Sequence, residues 1–234
     1  MTLIKEDDKF PILSIIIPTL NESKNLSSLI SDLSEIKNDS EILVIDSIST
    51  DKTKDIAILY GTKFYKTNIR NRGIQLNYGA KKANGDWLLF IHADSRLNFN
   101  WSTEIKDLIK KDSNFIYFFK FKVDSKLLKF RILEFFVNLR CFIFSTPYGD
   151  QGFLISKKNF NNYGGFKNIP LMEDFDFTRR IKQKKYLIGL KTPIYTNSRK
   201  WNNKNFILQS IKNWYLRRLW IKGVSLEKIY KMYY

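Results

Sequence analysis

Apolar residues fall into two rhythms along the chain. Leu13 to Ile17 and Ile42 to Ile45 are short β-branched runs followed by turn formers, the pattern of buried parallel strands. Between them, Glu22 to Ile36 spaces Leu26, Leu29, Ile30 and Leu33 at helical intervals behind a polar start. This is one βαβ unit. The alternation continues with a helix over Lys52 to Tyr60 stopped by Gly61, a strand at Lys63 to Tyr65, a helix near Arg72 to Ala83, a Gly85 stop and a strand at Trp87 to Ile91. Strict alternation predicts an α/β fold with a doubly wound, mostly parallel sheet.

After Asp94 the rhythm loosens. A helix is expected around Thr103 to Lys110, a β-rich run at Phe115 to Val123, an apolar helix at Leu127 to Phe144 and a strand at Gly152 to Ile155. Gly164-Gly165 precedes a helix from Glu173 to Lys185, and a last helix is expected from Asn205 to Lys222. No repeat or linker interrupts the 234 residues, a length that suits one domain with a substantial core.

Composition narrows the class. Hydrophobic residues make up 44% and charged residues 27%, which fits a folded core and excludes a disordered or fibrous chain. One cysteine, Cys141, rules out an intrachain disulfide and a multi-thiolate zinc site, so the cytosol is the expected compartment. The first twenty residues lack the basic start and cleavage site of a signal peptide. Lys126 to Thr146 is broken by Lys129, Arg131, Glu134 and Arg140, so no segment is expected to span a membrane.

The net charge of +17 is uneven: residues 176 to 234 hold fifteen Lys or Arg against two acidic residues, which is +13 of the total. Such a tail suits phosphates, an anionic membrane surface or nucleic acid, or serves only solubility.

In an open parallel sheet, ligands collect beyond the carboxyl ends of the strands. There the chain places Pro18-Thr19-Leu20-Asn21-Glu22, then Asp46-Ser47-Ile48-Ser49-Thr50-Asp51, then His92-Ala93-Asp94-Ser95. Any one of these acids could be only a cap or turn former. Three successive strand ends instead predict one crevice, with Asp46 and Asp94 as surface-loop residues able to grip ribose hydroxyls or a cation that neutralises a diphosphate. Neither glycine-rich phosphate motif is present, which argues against P-loop and dinucleotide-binding readings.

The segments SIIIPTLNE, VIDSISTDKT, RNRGIQLNYGAKKANGDWLLFIHADSRL, PYGDQGFLI and GGFKNIPLMEDFDFTRRI together resemble family 2 glycosyltransferases, from about Leu13 to Trp201. More narrowly they look like a bacterial subgroup with HAD in place of the metal-binding D-x-D and with a PYGDQG motif. The resemblance implies a GT-A fold, Rossmann-like and mostly parallel, in a single domain with a C-terminal helical tail. It also implies a nucleotide-sugar donor and inversion at the anomeric carbon. On that reading, residues 11–98 form the nucleotide-binding half, 99–201 the acceptor and catalytic half, and 202–234 a basic amphipathic tail.

By motif position, Pro18, Thr19 and Glu22 would line the nucleoside pocket. Asp46 would meet base or ribose, with Ser49 and Asp51 supporting it. Arg72 and Asn77 would approach the donor, with Arg72 able to hold a phosphate bidentately. Asp94 matches the last carboxylate of D-x-D and is the expected metal ligand, while His92 is either a strand-end polar residue or a ligand contact. The first D-x-D carboxylate is missing, and magnesium or manganese prefers oxygen to imidazole, so a divalent cation is an uncertain cofactor. Ile48 and Lys52 stand where the family usually has glycines, which predicts a less open turn.

Inverting transfer needs a base for the acceptor hydroxyl. The resemblance assigns that role to Asp174 with Glu173 second, though a carboxylate there also suits a helix start. Asp150 and Gln151 would meet acceptor or donor sugar, or serve the turn. Arg199, in Arg199-Lys200-Trp201, would face the departing diphosphate. In the tail, Ile207, Leu208, Ile211, Trp214, Tyr215 and Leu219 form an apolar stripe, while Leu216 and Trp220 fall off it. Either the stripe docks on the domain, or the tail touches lipid near a membrane-proximal acceptor. Rival readings are a nucleotidyltransferase, which would show a basic glycine-rich loop, and a basic membrane-surface or nucleic-acid binder. Of the partners, nucleic acid is the least expected.

Overall fold

The computed structural model describes residues 13–111, 114–182, 186–198 and 206–233. The first half follows the expected alternation: β1 (Leu13–Thr19), α1 (Ser23–Leu33), β2 (Ser40–Ser47), α2 (Thr53–Leu59), β3 (Lys63–Thr67), α3 (Arg72–Lys82) and β4 (Trp87–Phe90). Strand β1 pairs in parallel with β2 and β4, and β2 in parallel with β3. Side chains alternate across the sheet, so Ile15 and Ile17 join Leu26 and Leu29 of α1 on one face, and Ile16 joins Leu76 and Ala80 of α3 on the other. Burial on both faces is why β1 reads as an unbroken apolar run. Helix α3 lies so close to β1 that a methyl on Gly79 would meet Ile16 Cγ2 at 2.5 Å.

The second half departs from a doubly wound sheet. It contains β5 (Ser95–Leu97), α4 (Trp101–Ile109), β6 (Ile116–Asp124), α5 (Leu128–Phe144), β7 (Phe153–Ser156), α6 (Lys157–Asn162), α7 (Glu173–Lys182), β8 (Leu187–Asn197), α8 (Phe206–Ile221) and α9 (Leu226–Tyr233). The eight strands run in the order β3-β2-β1-β4-β7-β6-β8-β5. Pairing is antiparallel at β4–β7, β7–β6 and β8–β5 and parallel at β6–β8. A flat sheet would separate β4 from β5 by about 19 Å. Only a tight turn joins them, closed by Ser95 N–H donating to His92 O at 3.1 Å, so the sheet must curl to return β5 to the end of β4. Asp32 of α1 fixes that edge through Arg96 Nε at 2.6 Å and Leu97 N at 3.0 Å.

Two helices, α8 and α9, make up the described part of the tail, and α8 turns an unexpected face inward. Leu216 is buried and Trp220 packs edge-on to Phe175 with ring centroids 5.7 Å apart. The stripe residues Leu208, Ile211, Trp214 and Tyr215 are exposed. The docking surface offered by Phe175 and its neighbours, rather than the helix's own periodicity, selects the inward face. No described helix is long and apolar enough to cross a membrane.

Candidate active site

The carboxyl ends of β1, β2 and β4 open on a cavity of about 620 Å³, within the size range of ligand sites. Pro18, Thr19, Glu22, Arg72, His92, Asp94 and Glu173 line it, with Tyr230 and Tyr233 arriving from α9. A second chamber of about 240 Å³ is lined by Tyr148, Asp150, Asp174, Phe175 and Arg217. Arg72, His92, Leu171 and Tyr233 line both chambers and form the wall between them.

Asp46 stands behind the first chamber, not in it. It is 2% exposed, and its oxygens accept from Thr19 Oγ1 at 3.1 Å, Ser49 N at 2.9 Å and the Ser49 hydroxyl. This corrects the surface-loop expectation: the carboxylate spends its acceptors tying the ends of β1 and β2 together. Gln75, a polar residue on the inner face of α3, completes the tie by donating to Thr19 O at 2.9 Å and Ile45 O at 2.7 Å. Its position among the apolar residues of α3 is the signal that could have singled it out.

The loop bound by Asp46 contains Ile48 at φ +60°, left-handed backbone that a β-branched residue adopts only under constraint. Ser49 and Asp51 do not line either chamber. Asp51 accepts from Ser23 N at 3.0 Å and Thr53 N at 3.0 Å, bridging the starts of α1 and α2. Partial burial opposes its charge, but these hydrogen bonds from Ser23 and Thr53 prevail and hold its carboxyl pKa at about 2. Asn77 also lies outside both chambers and clips Phe166, accepting from its N–H at 3.0 Å and donating to its carbonyl at 2.7 Å.

Arg72 organises the dividing wall. Its Nε donates to Glu173, its Nη1 meets His92 Nε2 at 3.2 Å and its Nη2 lies 3.5 Å from Asp174 Oδ2. A guanidinium only donates, so this contact requires His92 Nε2 to accept and puts the ring proton on Nδ1. Burial disfavours the Arg72 charge, yet Glu173 and Asp174 outweigh it and raise its pKa above the ordinary value. Burial acts most strongly on Glu173 as well: it pushes that carboxyl up, Asp174 adds to the rise, and Arg72 only partly counters it.

Helix α7 delivers the two adjacent acids to different places. Glu173 is 3% exposed and borders the first chamber, whereas Asp174 borders the second. Asp174 Oδ2 accepts from Gly149 N at 2.8 Å and Oδ1 from Phe175 N at 2.7 Å. Just before α7, Met172 has φ +65°, a strained conformation of the kind that concentrates at functional sites.

Asp150 lines the second chamber, but Gln151 is fully buried. Gln151 accepts from Cys141 Sγ at 3.1 Å and donates to Phe119 O at 3.2 Å, so it supports the turn below the chamber. Tyr148 is stacked between the guanidiniums of Arg140 at 3.7 Å and Arg217 at 4.3 Å. Burial is the largest influence on both Tyr148, whose pKa rises, and Arg217, whose pKa falls. Tyr148, Arg217 and Tyr233 were not expected at the site from the sequence; Arg217 and Tyr233 reach it only because α8 and α9 dock there. Arg199 lies outside the described residues.

The donor set near Asp94 bears on a metal. Among the described residues no group of three or more His, Cys, Asp or Glu side chains could hold an ion. A magnesium-type ion, however, takes one or two carboxylates and fills its remaining positions with phosphate oxygens and water. Asp94 fits that limited role.

The curled, mostly parallel α/β sheet with its C-terminal helices matches the fold of GT-A glycosyltransferase structures. A family model described as Glycosyl transferase family 2 matches residues 14–170, and the chain belongs to that family. A PGL/p-HBAD biosynthesis glycosyltransferase of Mycobacterium bovis is 26% identical over 89% of this chain and 99% of its own length. An uncharacterized glycosyltransferase of Rickettsia typhi is 37% identical over 39% of this chain and 30% of that one. Among solved structures, S. aureus TarS 1-349 in complex with UDP-GlcNAc superposes with a TM-score of 0.63 at 19% identity, covering 80% of this chain and 58% of that longer one. The mannosyltransferase PcManGT from Pyrobaculum calidifontis, in complex with GDP-Man and Mn2+, gives 0.62 at 15% identity, covering 89% of this chain and 61% of that chain.

Proposed function

We propose that this glycosyltransferase takes a sugar from a nucleoside diphosphate in the first chamber and passes it, with inversion, to an acceptor hydroxyl in the second. The observation that carries this reading is the shared wall of Arg72 and His92, with Asp174 opening only on the second chamber. The UDP-GlcNAc and GDP-Man bound by the two structural neighbours support the donor class.

In the reaction, Asp174 takes the acceptor proton as the acceptor oxygen bonds to the anomeric carbon. The bond from that carbon to the phosphate oxygen breaks on the opposite face, and its electron pair leaves with the nucleoside diphosphate. Arg72, which lines both chambers, supplies fixed positive charge beside the departing group, the electrostatic contribution that Arg199 was expected to make. Asp94 would hold a divalent cation together with the diphosphate oxygens, adding Lewis-acid neutralisation of the same charge. Glu173 positions Arg72.

Thermal unfolding with UDP, GDP, TDP and CDP, each with and without manganese, tests the donor site, because a specific ligand raises the melting temperature by mass action. A saturable rise for one base is expected. No rise with any nucleotide overturns the reading.

A further inference from the structure

Helix α5 reverses the usual rule for a surface helix. Two of its polar side chains turn inward: Glu134 accepts from Val123 N at 2.7 Å, and Asn138 accepts from Phe121 N at 3.0 Å and donates to Phe121 O at 3.0 Å. Phe130, Leu133 and Cys141 are buried on that same side. Facing outward are Leu128 (73% exposed), Ile132 (47%), Phe135 (62%), Phe136 (61%), Phe142 (86%) and Ile143 (56%). At 3.6 residues per turn these six occupy an arc of about 120°, with only the apolar Leu139 between them. A contiguous exposed apolar patch of this kind marks an interaction surface.

The charges beside the patch identify what covers it. Lys120 and Lys122 line a groove with Phe135 and Phe142, Lys126 and Lys129 are exposed at the start of α5, and Lys182 Nζ lies 5.9 Å from the ring centre of Phe144 at its end. Asp124 is the opposing charge near the start. A second copy seated face to face would bring lysine rims against each other, since a two-fold interface is self-complementary. Apolar side chains bordered by lysines instead match an interfacial helix on an anionic bilayer, the rings entering the acyl boundary and the ammonium groups meeting headgroups.

We infer that the outer face of α5 docks this protein on anionic lipid surfaces. The contact is placed on α5; in the tail, Trp220 packs against Phe175 and Tyr230 and Tyr233 line the first chamber, while Leu208, Ile211, Trp214 and Tyr215 stay exposed. Arg140 of α5 stacks on Tyr148 in the second chamber, so docking brings that chamber close to the lipid surface. The inference concerns lipid binding and stands apart from the transferase reading.

The test is cosedimentation with vesicles of phosphatidylcholine alone and of phosphatidylcholine and phosphatidylglycerol in equal parts, at low and high salt. The wild type is expected to pellet with the anionic vesicles, less so at high salt. Removing two exposed rings in Phe135→Ser/Phe142→Ser is expected to lower partitioning about tenfold or more without lowering the melting temperature. Lys126→Glu/Lys129→Glu is expected to weaken it at low salt, and Trp214→Ser to leave it unchanged. Absence of pelleting at low salt, or pelleting that survives the Phe double substitution, overturns the inference. So does a wild-type dimer in vesicle-free solution, by analytical ultracentrifugation, that the same double substitution dissociates.

Discussion

The backbone N–H of Gly149 donates to Oδ2 of Asp174 at 2.8 Å, tying the turn before β7 to the start of α7. A methyl on Gly149 would lie 3.1 Å from His92 Nε2 and 3.2 Å from Asp174 Oδ2, so the absence of a side chain lets three functional segments meet. Gly149→Ala is expected to displace Asp174 by a few tenths of an ångström and lower kcat by about tenfold to a hundredfold. Nucleotide-induced melting shifts should persist, because neither Gly149 nor Asp174 borders the first chamber. Steady-state kinetics beside thermal shifts separate the two effects.

The two acids of α7 should differ in what their loss removes. Asp174→Asn is expected to lower turnover by about a hundredfold or more, the scale of general base catalysis, while the donor still binds. Glu173→Gln should weaken donor binding first, by loosening the grip on Arg72 that Glu173 holds from the first chamber. Turnover of Asp174→Asn within a few fold of wild type would transfer the base to another group, with Asp150 next in the second chamber.

The elements that were legible in the sequence are those whose side-chain rhythm is enforced by burial. Leu26, Leu29, Ile30 and Leu33 read as a helix, and all four are buried. The three-residue strand β5 and the curl that returns it beside β4 were not legible, because they rest on Asp32 and on pairing with β8, contacts distant in sequence. Asp46 and Asp94 gave the same signal, an acid after a strand, yet only Asp94 faces the cavity. What separates them is closure by Thr19 and Ser49, which no local pattern reveals. Helix α8 likewise shows its apolar stripe to solvent because Phe175 and Tyr148 offer partners to the other face.

Ile48 carries an avoidable conformational cost. At φ +60° its Cβ crowds the following carbonyl, a penalty of about 1–2 kcal/mol for an L-residue. Glycine removes that penalty but orders a freer chain, which returns about 0.5–1 kcal/mol. Ile48→Gly is therefore expected to stabilise the fold by up to about 1 kcal/mol, read as a rise in denaturation midpoint, with nucleotide shifts unchanged. A lower midpoint would mean that the half-buried Ile48 side chain contributes more by packing than its backbone costs.

Asp51 gives stability a small pH-dependent part. Its carboxyl pKa falls from an ordinary 3.8 to about 2 through hydrogen bonds from Ser23 and Thr53 that prevail over burial. The folded state therefore releases this proton more readily than the unfolded chain, and stability must rise with pH across the interval between the two values. The contribution is complete above about pH 4, declines as pH falls, and vanishes below about pH 2. Asp51 is exposed, so solvent screening keeps the effect modest. Wild type is expected to melt above Asp51→Asn by a constant margin from about pH 5 to 7, with the margin closing as pH approaches 2. Paired thermal melts across that range measure it, and a margin that persists at pH 2 would assign the difference to the geometry of the Ser23 and Thr53 hydrogen bonds instead of to charge.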